Sequence, residues 1–370
     1  MMLSGESSTT AGAVAGARFP DRSADNSNSG GIDLGAWHES SWRQPVARFA
    51  ITFGFWAAAL VAGLWADHGW VRLALVVPLT LASGQLFTLG HDSGHGSLAT
   101  SPAVNAIVGR LAFLPSAHVF GLWRVHHNIH HRYTNLRGRD FVWRPLTLAE
   151  YQVLPDWRRS LHRLYRNRTG AGLGLHYAIE LWAPRMLWPR ADHELAQRGR
   201  LKLDALLLYG LLVSVALSSW AFVARIDPTR ADDLQFWASA GVLLFVLPLV
   251  GVHWLIGFVI YFNHTHPDIV WYDDPDEWAR HAVQLEGSAA QRFARLPNAR
   301  IMNHTAHHVD PRVPLRRLKS AQQFLVEIFD EQVVSYPWSR DEFDRVLSSC
   351  KLYDYETQTW LGYPAVTGMP

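Results

Sequence analysis

Three histidine clusters carry the chemistry that the chain could perform. His91-Asp92-Ser93-Gly94-His95 holds two histidines four apart. His127-Asn128-Ile129-His130-His131 holds three, and His304-Thr305-Ala306-His307-His308 repeats that pattern much later. On a helix, positions i, i+3 and i+4 share one face, so each cluster aims its imidazoles at one spot. A ninth candidate ligand is His264, in Asn263-His264-Thr265-His266-Pro267. Eight or nine neutral imidazoles exceed what one tetrahedral zinc takes; they suit two first-row ions with open positions. Imidazole preference alone does not choose among iron, zinc, copper and manganese.

The neighbours of these clusters are read more plainly. His126 precedes the second cluster, but the triplet spacing starts at His127. His38, His68, His162, His176, His193 and His281 read as ordinary polar residues, and His253 as a packed or hydrogen-bonded histidine inside an apolar run. Asp92, Asp140 and Asp310 lie near the clusters in sequence. Each is a candidate to hold the outer nitrogen of a ligating imidazole, fixing its tautomer and orientation.

Other metal and cofactor classes lack their residues. The 370-residue chain has one cysteine, Cys350, so a four-cysteine zinc site and an iron–sulfur cluster are excluded. No Glu-x-x-His occurs, which rules out a ferritin-like carboxylate bundle. No His-Glu-x-x-His occurs either. The glycines at 170, 172 and 174 do not follow the dinucleotide pattern, so electrons must come from another protein. A net charge of +2 gives no reason to expect nucleic acid.

The elements that must position the histidines are apolar runs. Val46–Ala66 would span roughly 31 Å as a helix, enough to cross a bilayer core. Asp67, His68 and Gly69 interrupt it, and 71–90 is a second run. A second pair follows at 203–224 and 236–262. The spacing therefore predicts four transmembrane helices in two hairpins. Between the pairs, residues 123–202 hold 15 Lys and Arg against 6 Asp and Glu. The positive-inside rule then places both termini and every histidine cluster in the cytoplasm. Runs 103–122 and 170–188 are long enough to span but carry Asn105, Arg110, His118, His176, Glu180 and Arg185. They are read as interfacial helices, since one extra crossing would separate the clusters. Residues 1–35 have no apolar core and read as a disordered tail. Residues 36–370 form one membrane domain, with cytoplasmic segments 91–202 and 263–370.

Leu89-Gly90-His91-Asp92-Ser93-Gly94-His95-Gly96-Ser97 resembles the first histidine box of membrane fatty acid desaturases, especially the Δ12/ω3 acyl-lipid branch. Trp123-Arg124, His127–His131 and Thr134-Asn135 resemble the second box with its flanks. His304–His308 with Pro311 and Pro314 resembles the third, and His264-Thr265-His266-Pro267 the stretch before it. The likeness runs from about residue 85 to about residue 320.

The resemblance implies an all-α integral membrane fold: four transmembrane helices under a cytoplasmic helical cap. It implies a histidine-ligated di-iron site held by His91, His95, His127, His130, His131, His264, His304, His307 and His308. His266 is the poorer match for the ligand outside the boxes. The implied activity is O2-dependent insertion of a cis double bond into an acyl lipid or acyl thioester. Electrons would come from an external, ferredoxin-like donor docking on the basic cytoplasmic face. Hydroxylase, acetylenase and ketolase activities share the scaffold, and a metal-binding membrane protein or transporter is the remote alternative. The Ala- and Arg-rich composition, with 3 Lys among 34 basic residues, fits a GC-rich bacterial genome and hence the inner membrane.

Overall fold

The computed structural model describes residues 32–38, 41–191, 193, 195–292 and 297–364. The expected tail at 1–35 therefore lies almost wholly outside the described residues.

Two long helices open the fold, α1 (Arg43–Trp65) and α2 (Gly69–His95). In α1, Trp56, Ala59, Leu60 and Leu64 are buried at helical spacing while Ile51, Phe55 and Val61 are exposed. An apolar residue on the exposed face is costly in water and costs nothing in lipid. α2 runs through the first histidine cluster and stops directly after it. Gly96 adopts a left-handed φ of 73°, and its N–H closes the helix on Ser93 O. A residue with a Cβ is strained there, so the glycine sets the helix end next to His95.

The run 103–122 is not one helix. α3 (Pro102–Ala112) and α4 (Phe120–Arg132) are separated by a short turn, and the two arms are bent by 94°. Ala117 takes a left-handed φ of 53° in that turn. The bend turns α4 so that the second cluster sits beside the first. Further along, α5 (Asp156–Tyr165) precedes a wide helical turn, Tyr177–Trp182. This covers the run 170–188, which is likewise broken into short pieces.

The second helical pair is α6 (Leu195–Ile226) and α7 (Leu234–His264). Only 11% of the most apolar stretch of α6 is buried, as expected of a helix facing lipid. Among the described residues, four helices are thus long and apolar enough to cross a membrane, at the positions the sequence predicts. Arg230, between α6 and α7, pairs with Asp67, between α1 and α2. The two interhelical loops therefore lie at the same end. The last residues of α2 and α7, His95 and His264, lie at the opposite end.

The remainder covers that opposite end. α8 (His304–Val309) carries the third cluster and packs against α9 (Leu318–Phe329) and near α10 (Arg340–Ser349). The core there joins Trp143, Tyr261, Phe262, Ala306, Leu325 and Val346. The all-α expectation is corrected in one detail. β1 (Ala290–Arg292) pairs in parallel with β2 (Ser335–Pro337), and β3 (Leu352–Asp354) antiparallel with β4 (Thr359–Leu361). Three-residue strands give no measurable period in a sequence, so nothing announced them.

Candidate metal centre

The histidines of four distant segments converge into two groups. His91, His95, His127 and His307 form one, and His130, His264, His304 and His308 the other. Within each group one ring nitrogen per residue lies within 4.8 Å of all the others. In the second group, Nε2 of His264 is 3.1 Å from that of His130 and 2.9 Å from that of His304. Nε2 of His304 is 3.2 Å from that of His308. A first-row ion with bonds of about 2.0–2.1 Å sets neighbouring ligand nitrogens about 3 Å apart. Hydrogen bonding cannot satisfy four nitrogens converging on one point, but a cation at that point can. In the first group, Nε2 of both His95 and His307 is buried without a hydrogen-bond partner. The donor set and these orphaned nitrogens fit two metal ions.

His131 stands apart from both groups of four. Its Nε2 lies 3.1 Å from Nε2 of His127, and its ring stacks on His308 with centroids 4.3 Å apart. The nine expected residues are thus all brought together, with His131 between the two groups. His126, one residue earlier, turns away toward Phe141 and His193. His266 faces Glu342 and Arg345 instead of the clusters.

Burial sets the protonation of these rings. His127, His131, His304, His307 and His308 are held well below the ordinary histidine value of 6.5, first by burial and then by neighbouring imidazoles. The neutral imidazole is the form that ligates.

The three aspartates do different things. Asp140 is 2% exposed and accepts from Nδ1 of His130 with both oxygens, at 2.9 and 3.0 Å. Its oxygens also accept from the backbone N–H groups of Asn135 and Val142. Asp92 accepts from the Leu315 N–H at 3.0 Å, while its other oxygen is 3.6 Å from Nδ1 of His91, too long for a hydrogen bond. Asp310 meets none of the clustered imidazoles. It pairs with His38 at 2.7 Å and with Arg312 at 2.9 Å. Burial alone would raise its carboxyl, but these partners hold it below the usual range. His38, read as an ordinary polar residue, is therefore the partner of Asp310.

Sequence reading missed two supports. Thr134 Oγ1 and Gln284 Oε1 each lie 3.2 Å from Nδ1 of His308. Thr134 lies three residues after the second cluster and could have been noticed. Gln284 has no signal, because its approach depends on how the chain after α7 returns. Asn135, at a φ of 59°, donates its side-chain amide to Val270 O and Gly287 O. It ties that returning segment to the Asp140 carboxylate.

A cavity of about 390 Å³ opens onto the histidines. Its walls are apolar side chains such as Leu181, Leu255, Val259 and Ile301, together with His91, His127, His130, His264 and His304. Trp123 stacks on His127 at 4.3 Å and closes one side.

Long apolar helices, paired imidazole clusters and an adjoining apolar cavity fit a membrane metalloenzyme with an apolar substrate. Residues 68–340 match the fatty acid desaturase family, and the chain belongs to it. It is 27% identical to an sn-1 oleoyl-lipid 12-desaturase of Picosynechococcus sp., over 81% of this chain and 83% of that protein. It is 28% identical to an sn-1 oleoyl-lipid 12-desaturase of Arthrospira platensis, over 72% and 74% of the two chains. A chloroplastic omega-6 fatty acid desaturase of Glycine max is 25% identical, over 73% of this chain and 60% of that one. These likenesses place the chain with the Δ12 acyl-lipid branch.

Proposed function

We propose that this enzyme introduces a cis double bond at the Δ12 position of an oleoyl chain carried on a membrane lipid. The observation that carries the reading is the apolar cavity walled by five of the clustered imidazoles. The relatives' names supply the position and the lipid carrier. One ion would be held by His91, His95, His127 and His307, with His131 beside them, and the other by His130, His264, His304 and His308. Two irons bound there, with O2 and two electrons from outside, would supply an oxidant strong enough for an unactivated methylene C–H bond. The chain's own residues bind and orient the substrate. Leu255, Val259 and Ile301 bury the acyl chain and exclude water, and regiochemistry follows from the shape of that cavity. Asp140 fixes His130 through its Nδ1–H.

The electron donor is an acidic, ferredoxin-like protein that docks on the basic segment between the hairpins. The same charge asymmetry supports a bacterial inner membrane location with both termini and the metal centre cytoplasmic. Expression in a host of defined lipid composition tests the activity. Lipids two hydrogens lighter, with the bond located at Δ12, are expected, and none with His304→Ala. Products that gain oxygen instead would replace desaturation with hydroxylation on the same centre.

A further inference from the structure

A second cavity, of about 570 Å³, lies behind the metal centre and has the opposite character. Five arginines line it, Arg139, Arg144, Arg158, Arg166 and Arg185, against the carboxylates of Asp140 and Glu180. Arg158 pairs with Glu180 at 2.8 Å, and Arg144 with Glu150 at 3.1 Å. Two of the five have no ion-pair partner among the described residues. Arg166 is 2% exposed, donates to the carbonyls of Cys350 and Trp143, and lies over the Trp143 and Tyr261 rings. Arg185 donates to Glu180 O and lies over Phe141, 4.5 Å from its centroid. Carbonyls and ring faces offset part of the cost of burying a guanidinium, and an oxyanion offsets more by accepting two parallel hydrogen bonds.

The two cavities share a wall. Phe141 lines both. On the wide helical turn and the residue before it, His176 and Glu180 face the basic cavity, while Tyr177 and Leu181 face the apolar one. We propose that the basic cavity binds the anionic head group of the lipid whose acyl chain lies in the apolar cavity. A molecule with an apolar tail and an anionic head matches the pair of cavities on either side of Phe141. An acidic protein surface does not, because Arg166 is too deeply buried for a docked face to touch. The proposal rests on the acyl-lipid reading above and adds a head-group class: phosphate, sulfonate or carboxylate.

Binding tests it without turnover, on the full-length iron-loaded protein in neutral detergent. The probes are dihexanoylphosphatidylglycerol, inorganic phosphate and dihexanoylglycerol, titrated by calorimetry. The anionic lipid is expected to bind best. Arg185→Gln should weaken it by about tenfold, the size of one lost charge-assisted bond, and Arg185→Lys should weaken it less. Arg340→Gln, at an exposed site paired with Asp344, should leave it unchanged. If Arg185→Gln fails to fold, Glu180→Gln serves in its place and should tighten the anionic lipid. Equal binding of dihexanoylglycerol would overturn the proposal. So would inorganic phosphate binding as tightly as the lipid, which would make this a free-anion site. Loss of affinity for an acidic donor protein in Arg185→Gln, with lipid binding intact, would overturn it in favour of protein docking. If the anionic lipid binds as expected but no double bond forms, the acyl-lipid desaturase reading fails while the head-group site stands.

Discussion

Asp140 accepts the Nδ1–H of His130 with both carboxylate oxygens, and Nε2 of the same ring points to Nε2 of His264, 3.1 Å away. One imidazole thus links a buried anion on its outer side to the converging nitrogens on its inner side. The carboxylate makes the ring a stronger electron-pair donor and locks its tautomer.

Asp140→Asn keeps the shape of that contact and removes its charge. Iron affinity should fall by about 10–100-fold, measured by competition with a chelator, while the protein stays folded in detergent. Unchanged affinity would show that His130 needs no anion behind it.

The two groups of four predict a stoichiometry. His307→Ala touches only the first group and His304→Ala only the second. Each purified variant should retain about one iron where the parent holds two, by elemental analysis, and form no product. A variant with full iron content and full activity would remove that histidine from the ligand set.

Acid should destabilise the metal-free chain earlier than most proteins. His127, His131, His304, His307 and His308 all sit well below 6.5 when folded, burial being the main cause. The unfolded chain takes up protons at these positions near 6.5 and the folded chain does not. Stability is therefore complete above pH 6.5 and lost as pH falls below it. Melting of the chelated protein should shift down between pH 7.5 and pH 5.5, and a flat profile would contradict the burial of these rings.

The short helix Leu173–His176, just before the wide turn, rests on α7 through backbone contact. A Cβ at Gly257 would sit 2.4 Å from the Leu173 carbonyl oxygen, which no rotamer change relieves. Gly257→Ala should cost about 1–3 kcal/mol and lower Tm. Gly54→Ala, with nothing within 4 Å, should leave Tm unchanged.

Much of this arrangement was legible in the sequence because its signals are local. Apolar runs report four long helices, and the i, i+3, i+4 spacing marks imidazoles that share a face. What the sequence could not show depends on chain return. The 94° bend at Ala117 and the partition of eight histidines into two groups of four, with His131 between them, arise from tertiary packing. Nearness in sequence misjudged Asp310, which turns to His38 from the far N-terminal side of the fold. Asp140 does reach His130, because only a short turn, held by Asn135, separates it from α4.

The first group of histidines draws on three segments, at 91–95, 127 and 307, and the second on three, at 130, 264 and 304–308. A bound ion at either group would be a branched cross-link closing one loop of well over a hundred residues and a second of roughly thirty to forty. In a chain whose one thiol, Cys350, is buried and free, no disulfide can supply that constraint. By analogy with a covalent bridge over such a loop, each ion would reduce the freedom of the unfolded chain by about 4–5 kcal/mol. The ions would then act as staples of the fold as well as reagents, so a cell short of metal would lose the protein along with its activity.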